Sequence, residues 1–259
     1  TYDCFRHREP IARPGFPLFV YRVAPRERPP TWLPQCDKPV PPLTAEAAAE
    51  GLGRNDLRMA YFDCTSAWLY PGGVVTSGWY ALLRDTAYSD SPFIQNHLAT
   101  SRLSYEQRHP GALPPFAIYE RDNPPALPAS TSEIRVGHLA FLGYTSTGPA
   151  RPGETVEMET WWRVESLPQR PLSVMMHLTG PDGEPVIVGD GLGAPVEQWQ
   201  VGDIIVQRHV LPIPADAPPG EYTPLTGVYW LDTVERWPVE RNGQPGEDHI
   251  TLPPLLVRR

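Results

Sequence analysis

The chain has 259 residues, 41% of them hydrophobic, which is enough for one large domain or two ordinary domains with real cores. Its net charge of -8 argues against a nucleic-acid-binding surface, and it contains no run of about 20 apolar residues that would cross a membrane. The chain has 34 prolines among its 259 residues, a share far above the ~5% that is usual in proteins. They fall between apolar segments, a pattern typical of short strands separated by turns.

Several strands are predicted in the N-terminal half, and they are separated by loops rich in proline and glycine. An irregular lead-in over residues 1–16 precedes the first strand, and a proline-rich loop over 24–42 contains Cys36. The predicted strands are at 16–23, 57–62, 66–70, 78–83 and 116–120.

Two helices are predicted among these strands. Thr44 is a candidate N-cap for a helix over Ala45–Leu52, which is rich in alanine and has Gly51 or Gly53 as its stop. Ser91 is the candidate N-cap of a second helix over 92–108, with Pro92 at its first position. Strands and helices in this order predict a small α/β (or α+β) domain with a mixed sheet over residues 1–125.

A linker without aromatic residues, 121–133, separates this half from a second one that has no helical period. Its clearest strand is Thr155–Val164, in which Trp162 belongs to an apolar face and Trp161 to the opposite, mostly charged face. Further strands are predicted at 134–145, 172–179, 185–188, 204–211, 222–230, 236–239 and 249–257. Short strands at this spacing predict an all-β immunoglobulin-like sandwich over 132–259.

Turn and strand motifs follow one another in a specific order in this second half. They are Gly143-Tyr144, Pro152-Gly153-Glu154, His177-Leu178, Pro181-Asp182-Gly183, Asp190-Gly191, Gly202-Asp203, Ala217-Pro218-Pro219-Gly220-Glu221-Tyr222 and Gly227-Val228-Tyr229. Over roughly residues 137–240 this order resembles the C-terminal β-sandwich of bacterial multi-pass membrane glycosyltransferases related to the dolichyl-phosphate-mannose protein mannosyltransferases. Upstream, the stretch Cys64-Thr65-Ser66-Ala67-Trp68-Leu69-Tyr70-Pro71 looks like the region between the last membrane helix and that sandwich.

The resemblance implies a non-catalytic domain on the extracytoplasmic side of the cell membrane. In this family the catalytic acidic residues lie in membrane-proximal loops that this chain does not contain, and the whole enzyme uses a lipid-linked sugar. The expected partner is an acceptor glycan or protein, and the membrane is reached only through a parent chain. The first alternative is a free-standing carbohydrate-binding or adhesion module, and a soluble enzyme of unknown reaction comes last.

Exposed aromatic side chains are the best candidates for ligand contact, because sugar rings stack on exposed indoles. Trp161 points away from the core side of its strand, and Trp199 and Trp230 lie near strand ends. Packing within the core or at a sheet edge is the competing role for each of the three.

The sequence predicts no catalytic residues, no metal site and no cofactor. Glu157 and Glu159 lie on one face of a strand, as a pair of acid catalysts would, but such pairs are more often a solvated surface. Asp182, Asp190 and Asp203 are oxygen donors of the kind that calcium binds, yet in turn sequences their first role is to form the turn.

The three cysteines bear on the compartment. If residues 18–23, Ala45–Leu52 and 57–62 form a βαβ unit, Cys36 precedes the helix and Cys64 follows the second strand, so the two meet at one end. A Cys36–Cys64 disulfide would place the domain outside the reducing cytosol, and Cys4 would be the odd thiol. Three free or buried cysteines are the alternative.

Overall fold

The structure, a computed structural model, describes residues 9–15, 18–21, 29–72, 77–108, 113–129, 133–180 and 183–258. Cys4, Pro181 and Asp182 lie outside these residues. The strands, in chain order, are β1 (Ala12–Gly15), β2 (Leu18–Val20), β3 (Trp32–Cys36), β4 (Arg58–Phe62), β5 (Ala67–Tyr70), β6 (Gly78–Leu83), β7 (Arg102–Gln107), β8 (Phe116–Arg121), β9 (Ile134–Val136), β10 (Leu139–Ser146), β11 (Thr155–Val164), β12 (Leu172–Thr179), β13 (Pro185–Val188), β14 (Ile204–Pro212), β15 (Gly220–Trp230), β16 (Val239–Arg241), β17 (Gln244–Pro245), β18 (Ile250–Thr251) and β19 (Leu255–Val257). Two α-helices, α1 (Ala45–Leu52) and α2 (Pro92–Leu98), and a 3-10 turn (Val196–Gln198) complete the described elements.

The chain is nearly all β, so the predicted α/β domain over residues 1–125 is wrong. Among the described residues, α-helix is confined to the eight residues of α1 and the seven of α2. A helix of that length is only ~12 Å long, whereas a five-stranded sheet is roughly 19 Å wide. The helices are therefore too short to form a layer of their own over the sheet.

The N-terminal sheet has five strands in the order β4-β3-β6-β8-β7. In this sheet β3 runs parallel to β4 and to β6, and α1 connects β3 to β4. The first strand of this βαβ unit is thus Trp32–Cys36, inside the predicted loop 24–42, and the predicted strand 16–23 does not belong to it. Cys36 ends β3 beside Phe62 of β4, and Cys64 follows two residues later. Because parallel neighbours end at the same edge of the sheet, Cys36 and Cys64 meet, and they form a disulfide.

The predicted second helix, 92–108, is wrong in its second half. Ser91 caps α2 and Pro92 occupies its first turn, as expected, but the helix stops at Leu98. Residues Arg102–Gln107 then form β7, an edge strand paired with β8. The alternation of Leu103 and Tyr105 with polar residues has the period of a strand, and pairing with β8 decides the outcome.

A separate hairpin, β1–β2, occupies the region predicted as lead-in and first strand. Ala12 pairs with Val20 and Gly15 with Leu18, and every residue of both strands is exposed. The rest of those predictions, residues 1–8, 16–17 and 22–28, lies outside the described residues.

Two more sheets form the C-terminal half, in an arrangement compatible with a β-sandwich. The larger sheet has the order β17-β16-β9-β10-β11-β14-β5, and the smaller has β13-β12-β15-β18 with β19 also paired to β15. Buried side chains of both sheets belong to one core, which includes Trp162 of β11, Met176 of β12 and Tyr222 of β15.

Strand β5 comes from the N-terminal half but pairs with β14 at the edge of the larger C-terminal sheet. Its Trp68 is fully buried, 5.3 Å from the ring of Phe62 in β4 and 4.8 Å from that of Tyr80 in β6. The core is therefore continuous from the N-terminal sheet to the sandwich. The division into domains 1–125 and 132–259 stays a prediction.

Candidate functional site

Two of the three predicted sugar-stacking residues are buried. Trp161 is 5% exposed and Trp199 is 4% exposed. Trp161 does face away from Trp162, as the alternation predicts, but β5 and α2 cover that face: the Tyr70 ring stacks on it at 5.7 Å and the His97 ring lies 5.6 Å away. Trp199 donates its indole N–H to the carbonyl of Ala194 at 2.9 Å. Neither indole offers a free face to a ligand.

Trp230 is half-buried at the end of β15. The Arg170 guanidinium lies 4.8 Å above its ring, held there by hydrogen bonds to the carboxylate of Asp232. Trp237 packs against the Trp230 ring at 4.6 Å. One face of the indole is thus occupied by a cation, so stacking on a sugar would require the other face or displacement of Arg170.

The two carboxylates of β11 have different surroundings, since the Glu157 side chain is 38% exposed and that of Glu159 is 19% exposed. Glu157 forms a two-pronged ion pair with Arg208, with distances of 2.9 Å and 2.6 Å. Glu159 is mostly buried beside His97, whose Nε2 is 3.6 Å from its carboxylate. The other ring nitrogen of His97, Nδ1, is 2.6 Å from the hydroxyl of Tyr70.

This Tyr70–His97–Glu159 cluster has the residue types of an acid–base centre but is closed. Burial, helped by the positive charge of Arg121, lowers the pKa of His97 to about 3, so its ring is neutral near pH 7. Burial raises the pKa of Glu159 and, strongly, that of Tyr70. His97 is 4% exposed and lies between Trp68, Phe93 and Trp161. The cluster packs α2 against the larger sheet of the C-terminal half, and a substrate has no access to His97.

A more open polar site lies along β12, where residues 189–191 continue the pairing begun by β13. Gly189 donates to the carbonyl of Met176 at 2.7 Å, and Gly191 exchanges two backbone hydrogen bonds of 3.0 Å with Val174. Between them, Asp190 turns its carboxylate to the sheet: Oδ1 accepts the N–H of Met176 at 2.7 Å, and Oδ2 lies 3.2 Å from His177 Nε2. The backbone therefore fixes the position of this carboxylate.

The cleft beside this carboxylate, called here the Asp190 cleft, has a volume of about 480 Å³. Its polar wall consists of Ser173, Asp190, Glu197 and Tyr229, and its apolar wall includes Leu192 and Leu231. Ser173 and Tyr229 face each other across β12 and β15. The cleft combines hydroxyl groups, carboxylates and apolar surface in one concave site.

The charge state of the Asp190 cleft follows from its surroundings. Burial alone would raise the pKa of Asp190, but the hydrogen bonds from His177 and from the Met176 N–H hold it below its usual value. Burial raises the pKa of Tyr229, and the negative charge of Asp190 raises it further. The hydrogen bond with Ser173 lowers this pKa but does not cancel the rise. Near pH 7 the site holds a carboxylate and a neutral phenol, which suit a ligand that both donates and accepts hydrogen bonds.

Sequence reasoning missed this site because it considered Asp190 as a turn residue or a calcium ligand, and not as part of a cleft that binds an organic ligand. The alternation along β12 contained a usable signal: Ser173 and His177 occupy the same face of the strand, opposite to the buried Val174 and Met176. What the sequence does not show is that residues 189–191 pair with that strand. Of the other two aspartates considered for calcium, Asp203 is fully buried and paired with Arg58, and Asp182 lies outside the described residues.

No family model matches the chain, and a search of curated proteins finds no match either. No helix in the described part of the chain is long and apolar enough to cross a membrane. Among the described residues, no group of three or more His, Cys, Asp or Glu side chains is arranged to hold a metal ion.

Proposed function

We propose that this chain is a non-catalytic extracytoplasmic domain of a membrane glycosyltransferase and that it contacts an acceptor glycan, or the glycan of a protein acceptor, through the Asp190 cleft. The cleft is the observation that carries the proposal. Sugar hydroxyls are donors and acceptors at once, and the fixed carboxylate of Asp190 with the hydroxyls of Ser173 and Tyr229 offers complementary groups beside apolar surface.

The disulfide supports the compartment in this proposal. Cys36 and Cys64 are both fully buried, and disulfides persist outside the reducing cytosol. Non-reducing peptide mapping of protein taken from its native cells checks this part. Recovery of the Cys36–Cys64 pair is expected, and two free thiols there would contradict an extracytoplasmic location.

Titration with neutral oligosaccharides, followed by NMR or calorimetry, tests the ligand. We expect weak binding, in the millimolar range, because a shallow cleft covers little ligand area. Asp190→Asn removes the charge, and Tyr229→Phe removes one hydroxyl. Either change should weaken binding about tenfold, the cost of one or two lost hydrogen bonds.

Trp230→Ala serves as the matched comparison, because Trp230 follows Tyr229 at the end of β15 but does not line the Asp190 cleft. Oligosaccharide binding that disappears with Trp230→Ala and survives Asp190→Asn would move the site to the tryptophan. Transfer of a lipid-linked sugar by the isolated chain would refute the non-catalytic role.

A free-standing carbohydrate-binding or adhesion module is the second candidate, because the Asp190 cleft serves both roles equally. The coding sequence around this segment distinguishes them. Several membrane-spanning helices in the same gene support the glycosyltransferase, and a signal peptide alone supports the module.

A further inference from the structure

The N-terminal hairpin, Ile11 to Val20 without residues 16 and 17, exposes more apolar surface than a free surface element normally does. Ile11, Leu18, Phe19 and Val20 are between 39% and 66% exposed. Within the described residues, β1 and β2 pair only with each other. An isolated two-stranded hairpin is marginally stable in water, and clustered exposed apolar residues mark a binding surface.

Both faces of this hairpin carry apolar groups. Leu18 and Val20 lie on one face. Phe19 lies on the other, with the Arg13 guanidinium 5.4 Å above its ring. A flat partner would cover only one of these faces, so the pattern favours a groove that receives the hairpin from both sides.

A groove of this kind lies beside α1 and is called here the α1 groove. It has a volume of about 340 Å³ and is lined mainly by apolar residues, among them Leu43, Ala47, Leu52, Trp79, Tyr105 and Phe116. It exists because α1, with eight residues, covers only part of the outer face of the N-terminal sheet. Edge strand β7 forms one wall and leaves Tyr105 38% exposed.

The lining of the α1 groove is uncharged, but the N-terminal segment that contains the hairpin and the helix beside the groove carry opposite charges. Residues 1–30 contain six arginines and three acidic residues, a net charge of +3, which leaves -11 for the rest of the chain. Helix α1 carries Glu46 and Glu50, one turn apart and both exposed, and neither has an ion-pair partner among the described residues. The basic hairpin region is therefore attracted to this wall of the groove.

We propose that the N-terminal hairpin of one copy of this chain docks in the α1 groove of a second copy. No described residue of the hairpin lines the groove of its own chain. In a two-fold symmetric dimer, each hairpin would cover the groove of the other copy, so both apolar surfaces of both copies would be buried. Phe19 and Leu18 enter the groove, and Arg13 lies near Glu46 and Glu50 of the second copy.

Sedimentation velocity of the full chain over a wide concentration range tests this assembly. A concentration-dependent dimer is expected. The double variant Leu18→Ser with Phe19→Ser should weaken it by about tenfold or more, and Glu46→Arg with Glu50→Arg should weaken it most at low salt. Val201→Ser, at another exposed valine, is the matched control and should leave the dimer unchanged. A chain that stays monomeric at every concentration overturns the proposal.

A photo-crosslinking amino acid at position 19, in a mixture of ¹⁴N- and ¹⁵N-labelled protein, identifies what the hairpin touches. Crosslinks from Phe19→benzoylphenylalanine to α1 or β7 peptides of the other isotope support the exchange. Crosslinks confined to one isotope show docking within one chain and overturn it. The proposal would also be overturned if the monomer bound phosphatidylglycerol vesicles and the Leu18/Phe19 variant did not. That result would show that the hairpin binds a lipid surface.

Discussion

At the scale of single residues, two buried histidines make the free energy of unfolding depend on pH. His209 is 1% exposed, with Nδ1 2.7 Å from the carbonyl of Gly189 and Nε2 2.9 Å from Thr160 Oγ1, and burial lowers its pKa to about 4. The pKa of His97 is about 3. An unfolded histidine has a pKa of about 6.5, so both rings are kept neutral by folding.

The free energy of unfolding should therefore fall as the pH drops below about 6.5. Between pH 6.5 and 4 the unfolded chain binds more protons than the folded chain, and each histidine removes up to about 1.4 kcal/mol of stability per pH unit. The stability that the two neutral histidines contribute is fully present above pH 6.5. It is lost as the pH falls toward their folded pKa values of about 4 and about 3. Glu159 acts in the opposite sense, because its folded pKa is raised.

Urea unfolding at several pH values between 7.5 and 4.5 measures this slope. His209→Gln removes one of the two groups, so the slope should fall by about half. A general loss of stability in the variant does not affect the test, since the slope and not the absolute free energy is compared. An identical slope in both proteins would show that His209 is not a neutral buried group.

At the scale of the elements, the junction of β3 and β6 depends on a glycine. A Cβ atom on Gly78 would overlap the ring carbons of Trp32, which is itself buried. Gly51 in α1 has nothing within 4 Å of such an atom and a helical backbone. The same substitution should therefore have opposite effects at the two positions.

Gly78→Ala is expected to cost about 1–3 kcal/mol, because Trp32 has no free space into which to move. Gly51→Ala should stabilise by about 0.5–1 kcal/mol, the difference in helix propensity. Thermal and urea unfolding of both variants provide the comparison. A Gly78→Ala protein as stable as the parent would mean that the two strands are not held this close.

The elements also show what sequence patterns can predict and where they fail. Helix α1 has the predicted bounds because its signals are local: the Thr44 hydroxyl accepts the N–H of Ala47 at 3.1 Å, and Gly53 has a positive φ of 66°. Strand β11 also has its predicted bounds. Strand β3 was missed because Pro34 indicates a break. Every residue of β3 pairs with a residue of β4. The N–H group that Pro34 lacks is missing on the side of β6, where Gln35 and Ala81 are the one residue pair.

The sequence was a poor guide to which tryptophans are exposed, because exposure depends on the tertiary fold. Trp161 and Trp199 were proposed from their places along single strands, but burial depends on which distant segment covers a face. Trp161 is covered by Tyr70 of β5 and His97 of α2, which are separated from it by at least 60 residues of sequence. Alternation along a strand gives the two faces, and only the tertiary fold decides whether both are buried.

At the scale of the whole molecule, one buried ion pair connects the N-terminal sheet to the sandwich. The Asp203 carboxylate is fully buried and accepts hydrogen bonds from both terminal nitrogens of Arg58, at 2.6 Å and 2.5 Å. It also accepts the backbone N–H groups of Gly72 and Gln200, at 2.9 Å and 2.8 Å. The carboxylate is therefore satisfied only when both halves are in place.

Arg58→Met should cost about 3–5 kcal/mol, because it leaves a buried carboxylate without its cation. Arg135→Met is the control, since the Arg135–Glu133 pair is exposed and its loss should change stability by less than about 1 kcal/mol. Denaturant unfolding curves of the two variants decide the point. Equal costs for the two substitutions would show that Asp203 is not buried with Arg58.

The placement of β5 also constrains the order in which the protein can form on the ribosome. Gln207 of β14 donates a side-chain hydrogen bond to the carbonyl of Ser66, 141 residues earlier in the chain, and Arg208 does the same to Thr65. The nascent N-terminal half therefore emerges with the edge of β5 unpaired and with the side of Tyr70 that later stacks on Trp161 uncovered, and β5 stays unpaired until β14 has been translated. During that interval the half-made protein exposes the surface that later becomes its core, so chaperone dependence is set by the time needed to synthesise those residues.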